Sequence, residues 1–237
     1  MTYPGKSAAQ EQAPGVHSVQ SEDFMNNQEL TKAFIDRLNA MKPITADQIP
    51  NIDLYMDQVT TFMDTYLSDH RRYETDKVLT KTMINNYAKN HLLPPPVNKK
   101  YSPDHLIYLI YIYYLKSFLS ISDIQQMLEP LASLFGTHQD EEPDMESIYT
   151  YIFSNYPEES YRLMKDIAHK LNVAESSFPD TEGEQKDGLQ KFTYLCLLAF
   201  DIYIKKQLME SIIDDMTAQK EREQPKKGRH RKDDAPI

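Results

Sequence analysis

Residues 79–128 read LTKTMINNYAKNHLLPPPVNKKYSPDHLIYLIYIYYLKSFLSISDIQQML, and the order of signals in this stretch sets the architecture. Thr80 is suited to cap a helix from Lys81 to about Asn90, whose apolar positions Met83, Ile84 and Tyr87 recur at helical spacing. Leu92-Leu93 then run into Pro94-Pro95-Pro96, which forbid a helix interior and a central strand alike. A basic bend, Asn98-Lys99-Lys100-Tyr101, follows. Ser102-Pro103 opens another helix, with proline at the first helical position, where a missing N–H costs nothing. That helix contains LIYLIYIYYLKSFL, is apolar nearly all round, and must therefore be central and buried. Ser120 or Ser122 caps the next one, which holds Ile124, Met127, Leu128 and Leu131.

Outward from this stretch the pattern stays helical. Upstream, Leu30, Phe34, Leu38 and Met41 mark a helix that Pro43 ends. A second runs from about Asp53 to Asp69, with Tyr55, Val59, Phe62, Met63, Tyr66 and Leu67 on one side. Downstream of an acidic loop, GTHQDEEPD, come Met145, Ile148, Tyr149, Ile152, Phe153 and Tyr156. Pro157 starts a further helix with Tyr161, Met164, Ile167, Ala168 and Leu171. Residues 173–188 read as a polar linker before a last helix from Leu189 to Thr217. The first half of that helix, FTYLCLLAFDIYI, is apolar on every side; the second keeps a stripe at Leu208, Met209, Ile212, Ile213 and Met216. Neither strand alternation nor an internal repeat is visible. The chain is read as all-α, with residues 1–27 and the basic tail 218–237 as disordered arms.

Composition removes several classes. One cysteine, Cys196, excludes a disulfide scaffold and a cysteine-rich zinc site. Six glycines leave little room for phosphate-cradling loops, and no nucleotide fingerprint appears. The longest nearly apolar run, Leu106 to Leu115, is half of what a membrane span needs. The first residues, MTYPGKSAAQEQAPG, lack the apolar region of a secretory signal. A cytoplasmic protein with no membrane partner is expected. Net charge is −10, yet Arg71, Arg72, Lys77, Lys81, Lys89, Lys99 and Lys100 face only Glu74 and Asp76 between residues 71 and 100. A cationic island in an acidic chain points to a polyanion more strongly than total charge argues against one.

The same stretch resembles the DNA-binding domain of the MerR family of transcription regulators. There a recognition helix of the type TLRYYE…GLLPP leads to a wing ending in Y-S, a helix, and GFSLEEIRELL. Met83-Ile84-Asn85-Asn86-Tyr87-Ala88 stands in the recognition helix and Leu92-Leu93-Pro94-Pro95 in its exit. Asn98-Lys99-Lys100-Tyr101-Ser102 stands in the wing, and Phe118-Leu119-Ser120-Ile121-Ser122-Asp123-Ile124 in the GFSLEEI slot. IPNIDLYMDQV (49–59) together with TKTMINNYAK is moreover similar to an uncharacterised bacterial family, a domain of unknown function described as MerR-like. The resemblance implies a winged helix-turn-helix over residues 28–131 and a helical effector or dimerisation domain over 132–217. It departs from the pattern in three places. Asn85 stands where the family has arginine, the wing is short and lacks glycine, and a dozen residues (69–80) replace the usual tight turn.

The residues themselves suit duplex DNA. Asn85 and Asn86 can fork onto an adenine edge, though neighbours on a helix cannot both point straight into the groove. Thr80, Lys81, Thr82, Tyr87 and Lys89 are the donors that bond phosphate oxygens and set register. From the wing, Lys99 and Lys100 would reach the flanking backbone or the minor groove, and Tyr101 beside them joins the DNA-contacting set. The expectation is a non-enzymatic, DNA-binding transcriptional regulator. The apolar last helix suggests a homodimer with two half-sites. Any effector would be a small organic molecule or a protein at the C-terminal domain. The alternative is a protein–protein adaptor that keeps the winged-helix scaffold without DNA binding.

Other features read as structural. Tyr108, Tyr111, Tyr113 and Tyr114 belong in the core, and Cys196 is expected to be a small buried hydrophobe. His91 either touches phosphate or caps a helix; His105, His138 and His169 show no metal-ligand spacing. Asp140-Glu141-Glu142 reads as a solvated loop, Asp201 as the partner of a Tyr or Lys in preference to an unseen ligand, and PKKGRHRK as a tail adding non-specific affinity at most. No metal, cofactor or catalytic set is expected.

Overall fold

The computed structural model describes residues 26–40, 42–136 and 143–223, and at its centre lies the apolar helix LIYLIYIYYL. In chain order the elements are α1 (Asn27–Ala40), β1 (Leu54–Tyr55), α2 (Met56–Leu67), α3 (Lys81–Lys89), β2 (Lys100–Tyr101), α4 (Pro103–Leu115), α5 (Ile121–Ala132), α6 (Met145–Ser154), α7 (Tyr156–Glu175) and α8 (Gly183–Glu223). The chain is mostly helical, as the periodicity predicts.

Local chemistry explains where the helices begin. Thr80 caps α3 by accepting from the Met83 N–H at 3.2 Å. Ser120 caps α5, accepting from Asp123 N–H at 3.1 Å, while the Asp123 carboxylate receives the Ser120 N–H at 3.3 Å. Pro103 sits in the first turn of α4, and from His105 to Ile110, then at Ile112 and Leu115, that helix is buried. Burial on all sides is what its composition demands.

One core collects residues from Ile44 to Tyr149, including Val59, Met63, Ile84, Leu93, Leu106, Leu109, Ile124 and Met145, together with Ile213 of α8. Tyr149 closes it from α6, donating its hydroxyl to the Ile44 carbonyl at 2.6 Å. The expected domain break at residue 131 therefore does not coincide with a break in packing: α6 and Ile213 of α8 share the core of the preceding helices. α1 does not join that core as its first helix. It packs on α7 and α8, with Thr31 hydrogen-bonded to Tyr194 at 3.1 Å and Gln28 donating to Glu175 at 3.0 Å. Arg37 reaches back, donating to the carbonyls of Asp69 and Arg71 at 2.6 and 2.9 Å.

Two expectations about elements need correction. The sequence shows no strand alternation, yet β1 and β2 pair antiparallel, Leu54 against Tyr101 and Tyr55 against Lys100. Two residues are too few to show alternation. The polar linker is also shorter than expected, since α7 continues to Glu175 and α8 starts at Gly183 and runs to Glu223, into the segment read as tail. The remainder of that tail with PKKGRHRK, residues 1–25, His138 and Asp140–Glu142 lie outside the described residues.

Candidate nucleic-acid interface

At 100° per residue, Lys81, Thr82, Asn85, Asn86 and Lys89 occupy one contiguous arc of α3, roughly 140° wide. All five are exposed, and the opposite side sends Ile84 and Tyr87 into the core. Asn85 and Lys89 fall in the middle of the arc, with Lys81 and Asn86 at its edges. No acidic residue belongs to α3. A counter-charge comes from α2, where Asp57 pairs with Lys81. Both partners are exposed, so the pair holds little energy and can exchange for another anion.

The end of α3 is a Schellman cap. The Leu92 N–H reaches the Tyr87 carbonyl at 2.9 Å and the His91 N–H reaches that of Ala88 at 3.2 Å. His91 occupies the left-handed position usually given to glycine, with φ of 58°. Of its two sequence readings, the capping one describes its backbone.

The bend after the prolines is a hairpin closed by a two-residue turn. Val97 and Lys100 exchange N–H···O bonds of 3.1 and 2.9 Å. Asn98 and Lys99 both have positive φ, 51° and 63°, the signature of a type I′ turn. This is how the bend manages without glycine. Lys99 stands at its exposed tip, and Lys100 lies half-buried over the Tyr55 ring at 5.4 Å.

Two of the ten expected contact residues are corrected by burial. Tyr101 is only 3% exposed, in β2. Its ring meets His105 edge-on at 5.4 Å. Tyr87 is 9% exposed, and burial raises its phenol above the usual range. A tyrosine on a polar helix looks like a phosphate donor in sequence; both rings are used for packing. Thr80 is half-buried and committed to its cap. Lys81, Thr82, Asn85, Asn86, Lys89, Lys99 and Lys100 keep a solvent-facing part.

α8 carries a second surface. Its 41 residues extend about 60 Å at 1.5 Å per residue. Phe192 (65% exposed), Leu195, Ala199 and Ile202 (64% exposed) follow one another at spacings of three and four, the seam pattern of paired helices. Tyr203, Ile204, Leu208 and Ile212 are also exposed, so the apolar area exceeds what isolated surface residues explain. Cys196 is half-buried on this helix rather than fully buried as expected. Asp201 is paired, with Lys205 at 3.2 Å and Lys170 at 3.4 Å. Tyr108 is core, its hydroxyl on the Leu128 carbonyl at 3.3 Å.

His105 was left without a role by its spacing; the structure supplies one. It is 2% exposed at the third position of α4, and its Nδ1 lies 2.9 Å from the Ser102 amide and 2.8 Å from the Ser102 hydroxyl. An amide can only donate, so Nδ1 is the acceptor and Nε2 carries the proton. Burial holds the imidazole below its usual pKa, opposed by the nearby Pro95 carbonyl.

Among the described residues, no group of three or more His, Cys, Asp or Glu side chains could hold a metal, and no helix is long and apolar enough to cross a membrane. The comparisons with known proteins return no match among curated proteins and none among solved structures. A family match covers residues 44–152, which begins at the first residue of the core and ends within α6. What those residues match is the model of a domain of unknown function, DUF1836.

Proposed function

We propose that α3 and the hairpin after it form a duplex-DNA reading surface of a transcriptional regulator with a MerR-like winged helix-turn-helix. The observation that carries this reading is the exposed arc of Lys81, Thr82, Asn85, Asn86 and Lys89, polar, free of acids and backed by the buried Ile84 and Tyr87. Asn85, near the middle of the arc, reads an adenine edge; the lysines bind phosphates. The exposed seam on α8 pairs two copies, and a two-fold dimer presents two recognition helices to two half-sites. No step of this reading calls for catalysis.

The test is fluorescence-anisotropy binding of the full chain to fragments of its own gene's upstream DNA, across a salt series. Lys81, Lys89, Lys99 and Lys100 in each of two protomers give a slope of about −7 in log K against log salt, at about −0.9 per phosphate. Lys99→Glu/Lys100→Glu flattens that slope by about half, and Asn85→Ala relaxes sequence preference by about 1–3 kcal/mol. Absence of binding at low salt by folded, dimeric protein overturns the reading. The rival is an adaptor for another protein, favoured by the same apolar seam and by the Asp57 partner on Lys81. It predicts that Lys99→Glu/Lys100→Glu is without consequence and that a partner stays bound at high salt.

A further inference from the structure

The loop between α2 and α3 and the C-terminal end of α4 enclose a surface cleft of about 480 Å³, away from the exposed arc of α3. Its charge is uneven. Arg71, Arg72, Lys77 and Lys116 line it against one acid, Asp76. Asp76 already spends a carboxylate oxygen on the Tyr73 N–H, at 3.1 Å. Arg71 is engaged by the Ser68 carbonyl at 3.1 Å, the Asp76 carbonyl at 3.3 Å and the Asp64 carboxylate at 3.6 Å.

The other three cations have no carboxylate partner among the described residues. Lys116 is the informative one. It is half-buried, lies over the Tyr113 ring at 4.9 Å and donates to the Val78 carbonyl at 2.9 Å. A cation drawn out of water and given only a neutral acceptor is held at a cost that an anion would relieve, and burial lowers its pKa accordingly. Tyr114, also in the wall, is pushed up to about 12 by burial, so its phenol remains a donor. His70 meets Tyr114 edge-on at 5.7 Å; burial holds it below its usual pKa, opposed by Asp69 and reinforced by Arg37.

We propose that this cleft binds a small phosphorylated ligand, with Arg72, Lys77 and Lys116 on its phosphate oxygens. Three unpaired cations exceed what one carboxylate neutralises and match a group with about two negative charges and three acceptor oxygens. The cleft is much larger than a phosphate group and lies in the range of small-molecule sites, which leaves room for the organic part. The site is separate from the arc of α3 and does not rest on the DNA reading.

The test is calorimetric titration of the full chain with pyrophosphate at constant ionic strength, with chloride as control. Saturable binding of one pyrophosphate per chain is expected, with Kd below about 1 mM. Lys116→Met and, as a second variant exposed enough to spare the fold, Arg72→Gln weaken it about tenfold or more, as loss of one charge-assisted contact implies. Lys165→Met, on α7, changes nothing. No saturable binding by the wild type, or unchanged binding by both variants when folded, overturns the proposal. A parallel titration with duplex DNA separates the sources of phosphate. If the variants weaken DNA binding while pyrophosphate leaves the wild type unmoved, the cleft is a backbone contact and the small-ligand proposal falls.

Discussion

Replacing His105 by leucine isolates a buried hydrogen-bonding group from its packing. The ring is 2% exposed, edge-on to Phe135 at 4.6 Å and Tyr101 at 5.4 Å, and leucine fills much of that space. What leucine cannot do is accept the Ser102 N–H. A half-buried amide left without a partner costs about 1–3 kcal/mol, and loss of a helix cap costs about 0.5–2. We expect a loss near 2 kcal/mol, which lowers Tm by about 4–8 °C for a chain of this size. The loss depends on pH with a definite sign. The folded state holds the imidazole neutral because Nδ1 must accept and because burial lowers its pKa. The unfolded chain takes up a proton near the ordinary histidine value of 6.5. The stabilisation is thus complete above pH 6.5 and disappears as pH falls through the lower folded-state pKa. His70, whose pKa is also lowered by burial, acts in the same direction in both proteins and cancels in the comparison. Urea unfolding of wild type and His105→Leu at pH 7.5, 6.5, 5.5 and 4.5 measures the gap. It should be largest at pH 7.5 and narrow steadily on acidification. A gap that stays constant over this range would refute the neutral-acceptor assignment.

Three further outcomes follow from particular residues. His91→Gly should stabilise by about 0.5–1 kcal/mol, because relief of the left-handed conformation at φ 58° outweighs the added freedom of the unfolded chain; a loss in chemical denaturation would count against the cap. Tyr101→Ala should cost about 3–5 kcal/mol and Lys99→Ala under about 0.5, so thermal melts distinguish a core ring from a side chain at the hairpin tip; equal melts would return Tyr101 to the surface. Leu195→Glu/Ile202→Glu should turn a dimer into a monomer in sedimentation equilibrium without loss of helicity, and a monomeric wild type would remove the seam from the account.

Most helices were legible because their causes are local. The capping residues Thr80 and Ser120, the proline at 103 and the 3.6-residue recurrence in α2, α3 and α5 act within a turn or two of chain. The polar arc of α3 followed from the same recurrence. The limits of such reasoning show in α8 and α7, whose polar ends are helical although the apolar signal stops inside them. They show again in the hairpin, where Lys99 accepts a conformation that its residue type does not advertise.

By itself, then, the sequence determined that the chain is helical, that LIYLIYIYYL lies at the centre, and that cations gather on the acid-free stretch after Lys77. These depend on composition and short-range spacing. Tertiary structure alone decided that Tyr87 and Tyr101 pack inward, that α6 and Ile213 of α8 join the core while α1 packs on α7 and α8, and that Lys116 meets Val78 at the rim of a basic cleft. Each of those outcomes depends on which residues distant in the chain come to lie opposite one another. A tyrosine or lysine carries both an apolar body and a polar end, and only the neighbours brought to it by folding select which of the two is used.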